Sequence, residues 1–165
     1  MLKERMLTAL NEQINAEQYS ALLYLSMSAW FADKGLPGFA NWMYVQYQEE
    51  LTHANKFFNY VNGRNGKVQL KAIAQMPTDF ESIIDVVEKT LAHEQHVTAL
   101  INKLADIAND ERDHATQSFL KWFGLGFAGL VAILVLVGFL LPSSYRISRS
   151  IEIQKPVDEV FPLVN

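Results

Sequence analysis

The chain has 165 residues, of which half are apolar, with a formal net charge of −4 and no cysteine. This length is enough for one ordinary domain with a real core. The lack of cysteine excludes disulfides, thiolate metal ligands and cysteine nucleophiles, and the negative charge gives no basic footprint, so no nucleic acid is expected as a partner. The charged, amphipathic N-terminus MLKERMLTALNEQ does not have the pattern of a signal peptide.

The first predicted element is a helix over residues 4–33, which contain no proline. Apolar and small residues recur there in alternating steps of three and four, the spacing of one buried helical face. The positions on this face are Leu7, Leu10, Ile14, Glu17, Ala21, Tyr24, Ser28 and Phe31. A carboxylate therefore lies within an otherwise apolar stripe.

The stretch KGLPG predicts a turn, after which a second helix is expected over about residues 38–62. Its predicted buried face consists of Phe39, Met43, Gln46, Glu50, His53, Phe57 and Tyr60. Glu50 and His53 are three residues apart, so on a helix they share one side. The sequence thus predicts a second acid, and a histidine, inside the bundle.

The third predicted feature is a linker of 16 residues, Asn62–Pro77. Extended, it would span roughly 50 Å, whereas a helix of about 26 residues is roughly 39 Å long. The linker can therefore cross the whole bundle and make the second and third helices parallel, instead of joining antiparallel neighbours through a short loop.

The pattern TDFE, from Thr78 to Glu81, resembles a capping box and predicts the start of the third helix. The expected buried face of this helix is Ile84, Val87, Leu91, Glu94, Thr98, Ile101 and Ala105, with Val97 and Leu104 beside it. Solvent exposure is expected for three histidines, namely His93, His96 and His114. A polar break over Ala108–Asp113 separates this helix from a fourth that begins near Asp113.

A different composition begins near Phe123. The run WFGLGFAGLVAILVLVGFLL, residues 122–141, has no charged or polar side chain apart from the indole N–H of Trp122. Its length and lack of charge favour a transmembrane helix, and the alternative is a buried fourth helix of the bundle. After Pro142 the pattern alternates as in a strand, and a short helix is expected from Pro156. This tail, YRISRSIEIQKPVDEVFPLV, resembles the first strand and helix of a START-like (Bet v 1-like) domain.

Three predicted helices each place one carboxylate on an apolar face: Glu17, Glu50 and Glu94. A single acid on such a face is usually a boundary residue, but three acids and a histidine are harder to explain in that way. No Lys or Arg lies on these faces, and buried carboxylates without a cation repel each other and take up protons. A bound divalent metal removes that conflict, and oxygen and imidazole ligands suit iron, manganese or zinc.

Residues 1–123 resemble the bacterial non-haem ferritins. The matching stretches are NEQINAEQYSALLYLSMSAWF, YQEELTHANKFFNYV, LAHEQHVTALINKLA and FLKWF. The resemblance implies an all-α, ferritin-like four-helix bundle with a long crossover between helices two and three. It divides the chain into a di-iron bundle (1–123), an apolar helix (124–141) and a fragment of a START-like domain (142–165).

The resemblance also implies which residues handle iron. Glu17, Glu50 and His53 correspond to the first iron site, with Glu50 bridging, and Glu94 corresponds to the second. Tyr24 corresponds to the tyrosine beside that centre, and Glu49 to a ligand of a third iron site. The family's fourth-helix ligands would fall near positions 126–130, which read GFAGL and include no metal ligand.

The implied function is binding of non-haem iron, oxidation of Fe(II) by dioxygen, and storage in a cytoplasmic shell of 24 subunits. The missing fourth-helix ligands imply impaired ferroxidase activity. Two alternatives remain at this stage. One is a non-catalytic bundle with a single mononuclear metal site. The other is a membrane-anchored protein, held through residues 122–141, with a remnant ferritin head.

Overall fold

The computed structural model describes residues 1–121. It contains three complete helices, α1 (Glu4–Asp33), α2 (Pro37–Gly63) and α3 (Ile83–Asp110), and a further helical segment over residues 114–121. The bounds predicted for α1 are confirmed, and those of α2 differ by one residue at each end. The apolar run 122–141 and the strand–helix tail 142–165 lie outside the described residues. Within residues 1–121, no helix combines the length and hydropathy needed to cross a bilayer.

The three helices end in the same way, with one residue in the left-handed backbone region. These residues are Gly35 after α1 (φ 67°), Asn65 after α2 (φ 56°) and Arg112 after α3 (φ 55°). At each end the amide of this residue and the amide of the next residue both donate hydrogen bonds to carbonyls of the last helical turn, which is the pattern of a Schellman motif. Glycine and asparagine accept this conformation readily, whereas arginine at the third position is strained.

The linker after α2 runs along the whole length of α1. At the start of α1, Asn11 accepts a hydrogen bond from the Gln69 amide (2.8 Å) and donates one to the Lys67 carbonyl (3.1 Å). At the far end, the Phe80 ring packs edge-on against Trp30, with centroids 5.7 Å apart. The linker therefore carries the chain from one end of the bundle to the other.

This crossover makes α3 parallel to α2 and antiparallel to α1. The α1–α2 turn is short, and Phe31 near its start stacks on Phe39 just after it, with centroids 5.1 Å apart. At the other end of the bundle, Arg5 pairs with Asp110 at the end of α3 (3.2 Å). The parallel arrangement predicted from the linker length is thus confirmed.

The predicted start of α3 is wrong. The helix begins at Ile83, and its N-cap is Ser82, whose hydroxyl accepts a hydrogen bond from the Asp85 amide (3.0 Å). Asp85 in turn accepts from the Glu81 amide (3.1 Å), so an acid in the first turn satisfies a second free donor. TDFE and SIID, four residues later, offer the same capping chemistry, with Asp in place of Glu in the second, and the structure uses the second.

The first half of the predicted α3 face is also wrong. Ile84, Val87 and Leu91 are 67%, 36% and 44% exposed, whereas Val86 and Thr90 are buried. The side of α3 that contacts α1 is fixed by Glu94, and steps of four back from Glu94 reach Thr90 and Val86. The face predicted from apolarity alone is therefore displaced by one residue from the face that is buried at this end of α3.

The described core consists of two apolar clusters. One joins the start of α1 to the ends of α2 and α3 and includes Leu10, Ile14 and Phe57; the other joins the opposite ends and includes Met27, Phe31 and Met43. The three carboxylates predicted from the sequence lie between the clusters along the helices and are all buried: Glu17, Glu50 and Glu94. The polar layer is therefore closed above and below by packed side chains.

Candidate metal centre

The structure brings together Glu17 from α1 with Glu50 and His53 from α2. One ligand atom from each lies within 4.8 Å of the other two. His53 Nδ1 is 3.5 Å from Glu50 Oε2 and 3.9 Å from Glu17 Oε2. Both acids are almost completely buried, with 1% and 6% exposure, and His53 is partly accessible. The prediction that Glu50 and His53 lie on the inner face of α2 is confirmed.

One oxygen of each buried acid has no hydrogen-bond partner among the described residues. These atoms are Glu17 Oε2 and Glu50 Oε2, the same oxygens that point towards His53. The other oxygen of Glu17 accepts a hydrogen bond from the Gln13 amide (2.7 Å). Buried polar atoms without partners are costly in a folded protein, so two such oxygens aimed at one imidazole indicate a site for a cation.

The electrostatics of the cluster favour neutral acids when no cation is present. Burial raises the pKa of Glu17 well above its ordinary value, and the neighbouring Glu50 adds to the rise. Burial likewise raises the pKa of Glu50 to about 7, and the charges of Glu94 and Glu49 act in the same direction. A divalent cation would reverse this balance, because it stabilises the ionised carboxylates that bind it.

Glu94 is buried but takes no part in this three-residue group. Its Oε1 accepts a hydrogen bond from the phenol of Tyr24, which is completely buried on α1. Burial raises the pKa of Glu94 as well. The fourth predicted ligand is therefore close to the layer and is engaged by the predicted tyrosine.

Glu49 lies one residue before Glu50 and is exposed, away from the buried group. Its Oε2 accepts a hydrogen bond from Gln46 (3.0 Å). The structure thus places the five predicted acid and imidazole ligands in three environments: three residues together, Glu94 held by Tyr24, and Glu49 at the surface.

The prediction of solvent exposure is wrong for His93. Its Nε2 lies 2.7 Å from the Ser20 hydroxyl, and the Tyr24 ring meets its imidazole edge-on, with centroids 6.1 Å apart. Burial lowers the pKa of His93, which favours the neutral ring. His96 and His114 are exposed, as expected.

Sequence reasoning missed Gln13 and Ser20. Gln13 is four residues before Glu17, and this spacing on a helix could have identified it as a partner for the acid. Ser20 donates to the Ala16 carbonyl (3.0 Å) and meets His93 across two helices. No local pattern indicates a contact between residues 73 positions apart, so the second partner could not have been found in this way.

Several known proteins have sequences similar to that of this chain. A family model described as a ferritin-like domain matches residues 7–124. The bacterial non-heme ferritin of Bacteroides fragilis is 44% identical over 123 residues, which are 74% of this chain and 77% of that protein. The bacterial non-heme ferritin of Campylobacter jejuni is 40% identical over 74% of each chain.

Solved structures show a similar fold. An open pore ferritin from the archaeon Archaeoglobus fulgidus superimposes with a TM-score of 0.80 at 44% identity, over 83% of this chain and 85% of that one. A Chlorobium tepidum ferritin superimposes with a TM-score of 0.79 at 33% identity, over 83% of this chain and 84% of that one.

Proposed function

This chain belongs to the ferritin family, and on that premise we propose that it binds Fe(II) at Glu17, Glu50 and His53 and promotes its oxidation by dioxygen. The observation that carries the proposal is the convergence of three ligand atoms within 4.8 Å in a buried layer. Family membership supports further parts of the proposal: ferric storage in the cytoplasm, and assembly of 24 subunits into a cage. The match of the family model to residues 7–124 supports a first part over 1–123. The further parts, 124–141 and 142–165, remain predictions from the sequence.

Each residue has a distinct role in this proposal. Glu17 and His53 bind the first Fe(II), which enters as a substrate, and Glu50 bridges towards a second. Glu94 contributes to the second ion after its carboxylate is released from Tyr24. Binding expels the protons that the buried acids hold, so the pKa rise of Glu50 to about 7 lets the site exchange protons for metal near neutrality. Tyr24 orients Glu94 or donates to it, and Glu49 is proposed for a third site.

The sequence near 126–130 argues for an incomplete second site. None of Gly126, Phe127, Ala128, Gly129 and Leu130 can bind a metal. Two Fe(II) ions that share a bridge can each give dioxygen an electron at once, whereas a lone Fe(II) must transfer one electron at a time. We therefore propose tight binding of one iron per chain and slow oxidation.

A second candidate function is a bundle that binds one metal without turnover. The engagement of Glu94 by Tyr24 favours it, because this contact leaves three ligands in the group and a single site. Dioxygen consumption after addition of Fe(II) separates the two functions. Uptake in proportion to the added iron is expected for the proposed oxidase, and iron bound without uptake supports the second candidate. A membrane-anchored remnant head would show neither binding nor uptake, together with partition into detergent.

The ligand assignment is tested by anaerobic Fe(II) titration of the whole protein. We expect His53→Ala to weaken Fe(II) binding by more than the roughly 10–100-fold that is typical of changes in groups supporting a metal ligand. His96→Ala is the matched control, because it removes an exposed imidazole from α3. Equal affinities for the two variants and the parent chain would show that His53 is not a ligand.

A further inference from the structure

Gln13 is a buried polar residue to which the proposed function gives no role. It lies on α1, four residues before Glu17, and it is 2% exposed. Leu10 and Ile14, its neighbours on the same helix, are completely buried. An amide in such apolar surroundings is costly unless its polar atoms make hydrogen bonds, so the amide at this position indicates a requirement for its hydrogen-bonding groups.

The Gln13 amide holds one of the two oxygens of the Glu17 carboxylate. Its Nε2 donates a hydrogen bond of 2.7 Å to Glu17 Oε1. Glu17 Oε2 has no hydrogen-bond partner among residues 1–121 and lies 3.9 Å from His53 Nδ1. The two oxygens of one carboxylate therefore have different environments. Oε1 is tethered to α1, and Oε2 is directed towards the other two residues of the candidate metal centre.

The tether between Gln13 and Glu17 is formed within α1 alone. Side chains four residues apart are neighbours on one side of a helix, so the contact does not depend on how α1 packs against another element. An ionised carboxylate only accepts hydrogen bonds, and an amide N–H that donates to it makes one of the stronger kinds of hydrogen bond. To bind a cation through both oxygens, Glu17 would have to turn Oε1 away from Gln13 and lose this bond.

We propose that Gln13 is a positioning residue that keeps Glu17 a metal ligand through Oε2 alone, and that it thereby disfavours Ca²⁺ at this centre. The inference rests on the proposed function, because it concerns the metal that Glu17 binds. Ca²⁺ takes roughly six to eight oxygen ligands and often binds both oxygens of one carboxylate. Zn²⁺ needs only about four ligands and accepts imidazole, which also suits iron. One oxygen from Glu17 beside the imidazole of His53 favours the second class of cation.

The first test measures the affinities of the full-length protein for Zn(II), which is not oxidised, and for Ca(II) by titration calorimetry. The variant Gln13→Met keeps the length of the side chain and removes its N–H donors. Gln46→Met is the matched control, because Gln46 is a glutamine of α2 that is 5% exposed and donates to Glu49, outside the candidate metal centre.

We expect Gln13→Met to weaken Zn(II) binding by about 10–100-fold, the usual effect of removing a group that orients a metal ligand. Ca(II) binding should weaken less, because the released Glu17 can offer its second oxygen. The ratio of the two affinities should not change in Gln46→Met. In the parent protein, Ca(II) bound as tightly as Zn(II) would overturn the proposal without the use of any variant.

Infrared difference spectra, recorded with and without Zn(II), distinguish positioning from a general loosening of the structure. The separation between the antisymmetric and symmetric carboxylate stretching bands is wider for binding through one oxygen than for binding through two. We expect this separation to narrow in Gln13→Met and to stay the same in Gln46→Met. Weaker binding by Gln13→Met with an unchanged separation would overturn the proposal. Gln13→Leu repeats both measurements if Gln13→Met loses its helical circular dichroism.

The failure of this inference and the failure of the proposed function give different results. No binding of Zn(II) by the parent protein would overturn the candidate metal centre and, with it, the role of Gln13. Binding by the parent protein, with the same band separation and the same affinity ratio in Gln13→Met, would overturn the role of Gln13 alone.

Discussion

The phenol of Tyr24 donates a hydrogen bond to Oε1 of Glu94 and so joins α1 to α3 inside the polar layer. Burial, followed by the charge of Glu94, raises the pKa of Tyr24, so the phenol keeps its proton and the carboxylate is the acceptor. Glu94 is 5% exposed and has little water to replace this donor. The position of a predicted ligand of the second iron thus depends on one hydroxyl group.

We expect Tyr24→Phe to destabilise the metal-free protein by about 1–3 kcal/mol, because a buried acceptor loses its partner. The measurement is urea unfolding in the presence of a chelator at neutral pH. Tyr19→Phe is the control, since the Tyr19 ring also lies against His93, with centroids 5.9 Å apart, whereas the phenol that donates to Glu94 is that of Tyr24. An equal loss in both variants would contradict a specific role for the Tyr24 hydroxyl.

Features that depend on residues close together in the sequence could be predicted correctly, whereas features that depend on residues far apart in the sequence could not. Local patterns gave the bounds of α1 and the crossover after α2, because periodicity and linker length are properties of single segments. The start of α3 was wrong since Ser82 and Asp85 compete with an equally plausible cap upstream. The environment of His93 was wrong because Ser20 reaches it from another helix.

The same distinction between local and long-range features applies to the candidate site. Glu17, Glu50 and His53 were found because charge within an apolar stripe is conspicuous on each helix alone, and the structure brings the three together. The engagement of Glu94 by Tyr24 could not be derived from either helix, since it depends on how α1 and α3 face each other. The predicted role of Glu49 remains a prediction, with the residue at the surface.

The second prediction concerns pH. Burial raises the pKa of Glu50 from 4.5 to about 7, so between these values the folded chain holds a proton that the unfolded chain has released. Stability of the metal-free protein therefore falls as the pH rises through this window, by an amount on the order of 3 kcal/mol for this group at most. Through this contribution of Glu50, we expect the urea midpoint of unfolding, measured with a chelator, to be higher at pH 5 than at pH 7.5.

The variant Glu50→Gln keeps the shape of the side chain and removes its titration. It also removes the part of the rise in the pKa of Glu17 that Glu50 causes, which acts in the same direction. The lowered pKa of His93 makes stability rise with pH below the ordinary value of 6.5, which is opposite to the effect of Glu50. This effect is the same in the parent and the variant. The difference in midpoint between parent and variant is therefore expected to shrink as the pH falls. A difference that is constant with pH would show that Glu50 titrates normally.

The third prediction concerns the missing ligands. By resemblance to the ferritins, the fourth-helix ligands would fall near positions 126–130, so Phe127→Gln with Leu130→Glu would return two metal-binding side chains to this part of the sequence. We expect this double variant to bind a second iron per chain and to oxidise Fe(II) faster than the parent, as followed by stopped-flow absorbance. Leu125→Gln with Ala128→Glu adds the same chemistry two residues earlier and serves as the control. Fast oxidation with two tightly bound irons in the unmodified protein would refute the incomplete site.

The fourth prediction concerns Arg112, which occupies the left-handed position of the Schellman motif after α3 (φ 55°). A non-glycine residue in this region destabilises the folded state by about 1–2 kcal/mol. Glycine removes this strain, but part of the benefit is lost because glycine also increases the conformational entropy of the unfolded chain. We therefore expect Arg112→Gly to raise the free energy of unfolding by about 0.5–1 kcal/mol, measured by urea unfolding. Asn65→Gly at the equivalent position after α2 is the control (φ 56°). Asparagine accepts the left-handed region through its short polar side chain, so the gain there should be smaller. A larger gain at Asn65 than at Arg112 would show that the side chain of Arg112 compensates for its backbone strain.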